Sequence, residues 1–474
     1  MTIRLLMLAA AVLTGLPVAA DTFEVRTSRT ESKDVTGTLY SEADGVISVV
    51  DPAGFLDIFP EGAVIKRTPG EDPPPLDGDQ MIAQLTERFG GPGGDRFLAI
   101  DQGSFVVGIA LETPLERRMT GQANRLLRKA AKFMNDLETT FTKFAKRMDL
   151  PQEPAVHKLV MVIFETDAMF DAYTEETVSS GLSAANIQGF YSHQTNWLAV
   201  RLDECDDFAL PLHEGIHQQV FNRGWLKRGS SVPKWFNEGI ATGFEADGLD
   251  VDTDPRQVNA RYASRALEAS NVSFGQIIAA DTAFGGDVLA GEAYTRAWAL
   301  HWLMVGSRPE QYTKFVQAMG QRQPGIDVDQ SSRVTEFETA FDVSVRELED
   351  NFRTTLRQVA ARQGVRPPAK PTPGVVERQE QMGKVELRVR GAGTAMQAIG
   401  TLTNVHPLRP LTFRITLKPA SGGSIQWVVP NVPPNGRQKL PGKQTLTQSS
   451  SFRTEIESTQ PDSRDAAVWI RSAR

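Results

Sequence analysis

The 474-residue sequence has a single cysteine, Cys205, which excludes an internal disulfide and any Cys-rich zinc site. Charge of one sign is also scarce: 51 Lys and Arg against 58 Asp and Glu leave a formal net charge of −7. A mildly acidic chain binds phosphate backbones poorly, so no nucleic-acid partner is expected. Low-complexity tracts and fixed-period repeats are absent, which sets aside solenoids and propellers. No run of about 18 apolar residues occurs, so no membrane span is expected once the leader described below is removed. What is there is ordinary globular composition, 40% hydrophobic and 23% charged, over a length that suggests about three domains.

The chain starts with a targeting pattern. A short basic stretch, Met1 to Arg4, precedes an apolar core, Leu5 to Leu16, and then Pro17-Val18-Ala19-Ala20 ahead of Asp21. This predicts a cleaved signal peptide over 1–20. No cysteine follows the expected cleavage point, so a lipid anchor is not expected. The mature protein is expected to be exported, periplasmic or secreted, and the missing cysteine pair suits a bacterial envelope protein.

Residues 21–70 have a strand rhythm at 34–40, 45–50, 55–59 and 63–66, broken by turns such as Glu42-Ala43-Asp44-Gly45. Four strands in so short a span predict a small antiparallel barrel, similar to the SH3-like or Sm-like barrels. Asp72-Pro73-Pro74-Pro75 is a stiff linker. The span 80–362 is predicted to be one mainly helical domain that opens with a mixed sheet. Hairpins are expected at 97–109 and 189–200, and the continuous run Leu159 to Phe164 reads as a buried strand. Leu126, Ala130, Phe133, Leu137, Phe141, Phe144 and Met148 recur at steps of three and four, which predicts a long helix over 120–148 with one stripe in the core. Further helices are expected at 207–222, 233–246, 259–269, 291–306, 308–319 and, as a pair, 335–361. A proline-rich linker, 366–373, ends this domain. Residues 375–474 return to alternation and predict an immunoglobulin-like β-sandwich. The fold class is therefore α+β.

The chemistry centres on His213-Glu214-Gly215-Ile216-His217, which fits H-E-x-x-H. On a helix, positions four apart share a face, so both imidazoles reach one metal while Glu214 sits beside the reacting water. With only 6 histidines in the chain, chance placement gives about 0.005 such matches, so coincidence is a poor explanation. A catalytic zinc takes three protein ligands and keeps one position open. Glu238 lies 21 residues beyond His217, in a second helix expected to start after Pro233. The segment Asn222 to Ser231 is polar and glycine-rich and reads as the loop that returns this helix against the first.

His213-Glu214-x-x-His217 together with Trp235-Phe236-Asn237-Glu238-Gly239-x-Ala241 is similar to the gluzincin metallopeptidases. These carry H-E-x-x-H followed by a glutamate ligand in an E-x-x-A or E-x-x-D helix. Within them the chain most resembles exported bacterial proteins with a "peptidase MA-like" domain. The hairpin Gly189 to Asn196, the extension His217-Gln218-Gln219 and the segment Ala293 to Ala299 look like that group, and the likeness covers about 80–360. The resemblance implies a zincin-type fold and Zn2+ held by His213, His217 and Glu238. It also implies Glu214 as general base and a peptide or protein substrate. A tyrosine or histidine on a downstream helix donates to the oxyanion in related enzymes. Tyr294 is the candidate here, with His301 and Arg296 as runners-up. His301, set among Trp298, Leu300 and Trp302, reads better as a core residue.

Other residues near the motif have weaker readings. Thr242 and Glu245, one and two turns after Glu238, are candidates to orient a ligand imidazole. Asn237 reads as a solvated neighbour. Tyr191 and Asn196 can bind a substrate backbone beside an edge strand, against the simpler reading of turn chemistry. Cys205, eight residues before His213, is either a ligand that blocks the metal or a buried small hydrophobe. Its neighbours Asp203, Glu204, Asp206 and Asp207 raise a thiol pKa and argue against a nucleophile. That acidic run reads as a solvated loop. His157, His193 and His406 have no partner at ligand spacing and are left out of the site. The expected function is zinc-dependent peptide hydrolysis in the bacterial envelope. The alternatives are a non-catalytic scaffold on a retained peptidase fold and a hydrolase of non-peptide amides. The presence of all three ligands and of Glu214 favours the enzyme, since a decayed site usually loses one.

Overall fold

A computed structural model describes residues 21–177, 188–245, 251, 253–268, 270–285, 291–365, 375–390, 396–419, 423–445 and 452–472. The expected signal peptide and the linker at 366–373 lie outside the described residues. No helix among the described residues is long and apolar enough to cross a membrane.

Six short strands open the chain: β1 (Thr22–Arg26), β2 (Ser32–Thr36), β3 (Thr38–Ala43), β4 (Val46–Val50), β5 (Leu56–Pro60) and β6 (Val64–Thr68). They form two three-stranded antiparallel sheets, β2-β1-β6 and β3-β4-β5, that share a core of Phe23, Val25, Val35, Ile47, Val49 and Phe59. The predicted barrel does not close. The run expected as one strand over 34–40 breaks at Gly37, where the chain leaves the first sheet for the second. A Cβ at Gly37 would come within 2.3 Å of the Val50 carbonyl oxygen, so only glycine allows this crossing.

The central region starts with α1 (Gly78–Phe89), then β7 (Phe97–Gln102), β8 (Phe105–Ala110), α2 (Thr120–Arg147), β9 (Leu159–Phe164), α3 (Asp167–Thr177), β10 (Gly189–Tyr191) and β11 (Trp197–Arg201). Asp77 and Gln80 close a capping box at the start of α1. The five strands form one mixed sheet of order β10-β11-β9-β8-β7, with β9 parallel to both neighbours and the two outer hairpins antiparallel. Alternate residues bury on opposite faces. Val107, Ile109, Met161 and Leu198 meet Leu127, Met134 and Leu137 of α2, while Val106, Val162 and Trp197 meet Met81 and Leu85 of α1 and Phe170 of α3. Burial on both faces is why these strands read as continuous apolar runs. Strand β10 lies at one end of the sheet.

Helices follow: α4 (Ala209–Asn222), α5 (Lys234–Phe244), α6 (Ala260–Ala266), α7 (Phe274–Ala279), α8 (Glu292–Ser307), α9 (Pro309–Gly320), α10 (Arg333–Phe341) and α11 (Val345–Arg362). The segment between α4 and α5 is the expected connection, and part of it is buried. Trp225 and Arg228 are buried in it; Trp225 packs on Phe141 at 4.5 Å, and Arg223 pairs with Glu138.

The last region contains β12 (Val375–Glu380), β13 (Gly383–Arg390), β14 (Met396–Asn404), β15 (Leu411–Pro419), β16 (Ile425–Val432), β17 (Arg437–Thr445), β18 (Phe452–Thr459) and α12 (Arg464–Ser472). Two antiparallel sheets, β12-β13-β14-β17 and β16-β15-β18, share one apolar core that includes Leu387, Leu402, Phe413, Ile415 and Trp427. This region is tied to the central sheet through Arg409. Its guanidinium grips both carboxylate oxygens of Glu165, just past β9, and donates to the Thr113 carbonyl oxygen at 2.7 Å. The Glu165 side chain is 1% exposed, and also accepts from the Glu112 N–H at 2.8 Å. Burial pushes its pKa up, but His406 and Arg409 outweigh burial and hold it below the usual glutamate value.

Candidate metal centre

Helix α4 carries both histidines because its two faces differ. Leu212, Ile216 and Val220, four apart, bury in the core. Gly215 lets the helix close on α2, where a Cβ would meet Leu137 Cδ1 at 2.9 Å and Met134 Cε at 3.1 Å. His213 and His217 then project together from a different stripe of the helix. Helix α5 starts after Pro233, and the Lys234 N–H is capped by Asp281 at 3.0 Å. Its Gly239 and Gly243 press on α8: a Cβ at Gly239 would lie 2.9 Å from the Ala297 carbonyl oxygen, and one at Gly243 would lie 2.9 Å from His301 Nδ1. Helix α5 is thus set by packing, and Glu238 reaches α4.

The three predicted ligands converge. His213 Nε2 lies 3.2 Å from Glu238 Oε2 and 3.3 Å from His217 Nε2, and His217 Nε2 lies 3.5 Å from Glu238 Oε2. Among the described residues they are the one such group able to hold a metal ion. Behind His213, Nδ1 meets Glu245 Oε1 at 2.9 Å, and Glu245 Oε2 accepts from the Tyr262 hydroxyl at 2.8 Å. If the Nδ1 proton of a neutral His213 goes to Glu245, its Nε2 is a bare lone pair. That lone pair faces a carboxylate oxygen and a second imidazole nitrogen. Such an arrangement needs a positive charge at its centre, and a His2Glu set suits zinc.

In the metal-free protein a proton supplies that charge. Burial alone would lower the His213 pKa, but Glu238 and Glu245 overcome it and raise it well above the ordinary histidine value. Burial likewise opposes the carboxylate of Glu238, yet His217 and His213 hold its pKa far below normal. Both shifts favour a proton held on His213, which a metal would displace. Metal uptake is expected to release about one proton per ion and to tighten as pH rises toward the His213 pKa. Titration calorimetry in buffers of different ionisation enthalpy measures that proton; no release at neutral pH contradicts the assignment.

Glu214 is half-buried, and desolvation raises its pKa while His213 and His217 partly offset the rise. Its Oε2 accepts the backbone N–H of Tyr191 at 3.0 Å, which ties Glu214 to strand β10. Of the two orienting candidates, Glu245 takes the role. The Thr242 hydroxyl instead donates back to the Glu238 and Gly239 carbonyl oxygens, at 2.8 and 3.2 Å, as helical threonines do. Glu245→Gln is expected to weaken zinc binding by roughly 10–100-fold, and Tyr262→Phe by less, in competition with a chromophoric chelator.

The remaining candidates separate cleanly. The Tyr191 hydroxyl donates to Asn196 Oδ1 at 2.7 Å, and Asn196 bonds Asn222 at the end of α4, so both side chains brace the hairpin rather than face a substrate. Arg296 donates to the Val272 carbonyl oxygen and to Glu349, at 2.7 and 2.8 Å, while its Nη1 is buried without a partner among the described residues. His301 is buried against Tyr312, 2.8 Å from its hydroxyl, as a core residue. Cys205 is buried with Sγ 3.8 Å from the Arg201 carbonyl oxygen, and burial with Asp203 and Glu204 pushes its pKa far up. The acidic run is only partly solvated: Glu204 is pushed up to about 7 by burial and by Asp203 and Asp207. Asn237 Oδ1 and His217 Nδ1 are buried without partners among the described residues. Tyr294 is half-buried in the first turn of α8, edge-on to Phe284 at 5.5 Å.

Sequence spacing missed two residues. Tyr262 supports Glu245 from a helix whose position no local pattern reveals. His193, passed over for lack of a spaced partner, sits in the turn between β10 and β11, near enough to His217 and Glu238 to feel their charges. Burial, with His217 and Arg228, pulls its pKa down to about 3.

The family described as "Protein of unknown function (DUF1570)" matches residues 208–326, a span that includes His213, Glu214, His217, Glu238 and Tyr294. No curated protein matches the chain.

Proposed function

We propose that the protein is a zinc-dependent peptidase of the H-E-x-x-H…E type, similar to the gluzincins, exported to the bacterial envelope. The observation that supports this best is the meeting of His213 Nε2, His217 Nε2 and Glu238 Oε2 within 3.5 Å of one another, with Glu214 alongside. His213, His217 and Glu238 would hold the zinc, and Glu245 would fix the His213 ring. Bound zinc supplies Lewis acidity toward a water and a scissile carbonyl. Glu214 takes the proton of the attacking water, keeps it in a buried pocket that favours its protonated form, and returns it to the leaving amine. The Tyr191 N–H steadies the carboxylate while it waits. Tyr294 is the proposed donor to the developing oxyanion. It shares a face of α8 with Ala297 and His301, the residues that touch α5 beside Glu238.

The test has two parts. Metal content of the purified mature chain is measured by mass spectrometry, and cleavage of a mixed peptide library is followed with and without a chelator. Stoichiometric zinc and chelator-sensitive cleavage are expected. Stoichiometric zinc with no cleavage favours the scaffold reading, and no metal at all removes the proposal.

A further inference from the structure

We propose that His193 contacts the main chain of a peptide bound at the metal centre. This rests on the peptidase reading above. His193 lies between two parts of the site. On one side its ring is 5.5 Å from that of Tyr191, whose N–H holds Glu214. On the other it is 4.1 Å from the ring of Phe221, one helical turn after the ligand His217. It therefore stands between the strand that holds Glu214 and the helical turn that follows His217.

The ring is held but chemically unused. The His193 carbonyl oxygen accepts from Arg228 at 3.3 Å, and the next residue's carbonyl oxygen, that of Gln194, accepts from the Leu56 N–H at 2.8 Å. The turn is fixed from below while neither ring nitrogen has a hydrogen-bond partner among the described residues. The ring nitrogens are not among the buried unpartnered atoms, so the imidazole stands in a braced turn beside a metal group and is open to a ligand. A neutral imidazole offers one donor and one acceptor. That pair complements a peptide group, which offers the same two. A substrate carboxylate or phosphate would call for a cation instead, and the nearest one, Arg228, is occupied by the Gly54 and His193 carbonyl oxygens.

The experiment uses the full mature chain loaded with zinc and two probes that engage a zinc centre alike, acetohydroxamate and a dipeptide hydroxamate. Only the second has a peptide arm. His193→Phe keeps an aromatic ring on Phe221, and His193→Gln keeps a donor and an acceptor. For His193→Phe the dipeptide hydroxamate is expected to bind about 10-fold more weakly, the worth of one lost hydrogen bond, with acetohydroxamate and zinc affinity unchanged. His193→Gln is expected to recover part of the loss. Equal affinities of the natural chain and His193→Phe for the dipeptide hydroxamate overturn the proposal and leave the peptidase reading standing. Loss of zinc affinity in His193→Phe also overturns it, by making His193 a brace of the centre. If the natural chain binds neither zinc nor hydroxamate, both readings fall together.

Discussion

The Glu214→Gln protein will bind zinc as the natural chain does and hydrolyse peptides roughly 10²–10⁴-fold more slowly. Glutamine has the same shape and can still meet the Tyr191 N–H through its carbonyl oxygen, so the fold of strand β10 against α4 is kept. What it cannot do is accept and return a proton. Glu214 is not among the converging atoms of the metal group, so its loss leaves the ligand set intact. His217→Ala gives the opposite pattern, with metal and turnover lost together. Measuring zinc by mass spectrometry beside the rate of peptide cleavage separates the two roles. Equal metal loss in both variants would make Glu214 a ligand and not a base.

The second large effect lies far from the metal. Arg409→Ala leaves the Glu165 carboxylate buried without its main countercharge. Removing one member of a buried ion pair typically costs about 3–5 kcal/mol, because the remaining charge stays desolvated. His406 softens this only in part. Its Nδ1 accepts from the Leu408 and Arg409 N–H groups, so the proton sits on Nε2, 3.6 Å from Glu165 Oε1. Urea unfolding is therefore expected to show an early transition as the C-terminal sheets part from the central sheet. The double change Arg409→Ala with Glu165→Gln should recover much of the loss, since a neutral amide is far easier to bury. A double variant no more stable than the single one would mean that Arg409 acts by packing and not by charge.

The His-His-Glu group was legible where one helix suffices to express it. His213 and His217 must share a face because the helical period forces it, and Glu238 needs only a chain return that its distance from His217 permits. Glu245 was legible as one of two options, and choosing between it and Thr242 depends on a rotamer that no spacing reveals. Tyr262 and His193 were invisible for a deeper reason. Each reaches the site through the fold, from a helix after Glu245 and from a turn before α4. The central strands were legible because burial on both faces leaves an unbroken apolar run. The barrel was not, since the crossing at Gly37 hinges on a contact with Val50 thirteen residues on. Helix α1 had a signal that went unread, the Asp77-x-x-Gln80 capping box with Met81 and Leu85 one turn apart. The segment between α4 and α5 was legible as a connection but not as a buried one, because arginine and glycine usually mean water. Here Arg223 and Arg228 are buried against partners distant in sequence.

The hydrogen bonds that join Tyr40, Gly54 and Leu56 to Arg228 and the β10–β11 turn also bear on how the molecule can be cut. A fragment starting at residue 80 looks natural from the proline-rich stretch at 72–75. It would strip Gly54 from the Arg228 guanidinium, Tyr40 from the Arg228 N–H and Leu56 from the Gln194 carbonyl oxygen. All three support the turn that carries His193 and adjoins Tyr191, the anchor of Glu214. A fragment meant to keep that turn in place therefore extends upstream to the first strands. The matched span, 208–326, holds His213, His217 and Glu238, whereas the strand that meets Glu214 lies upstream of it.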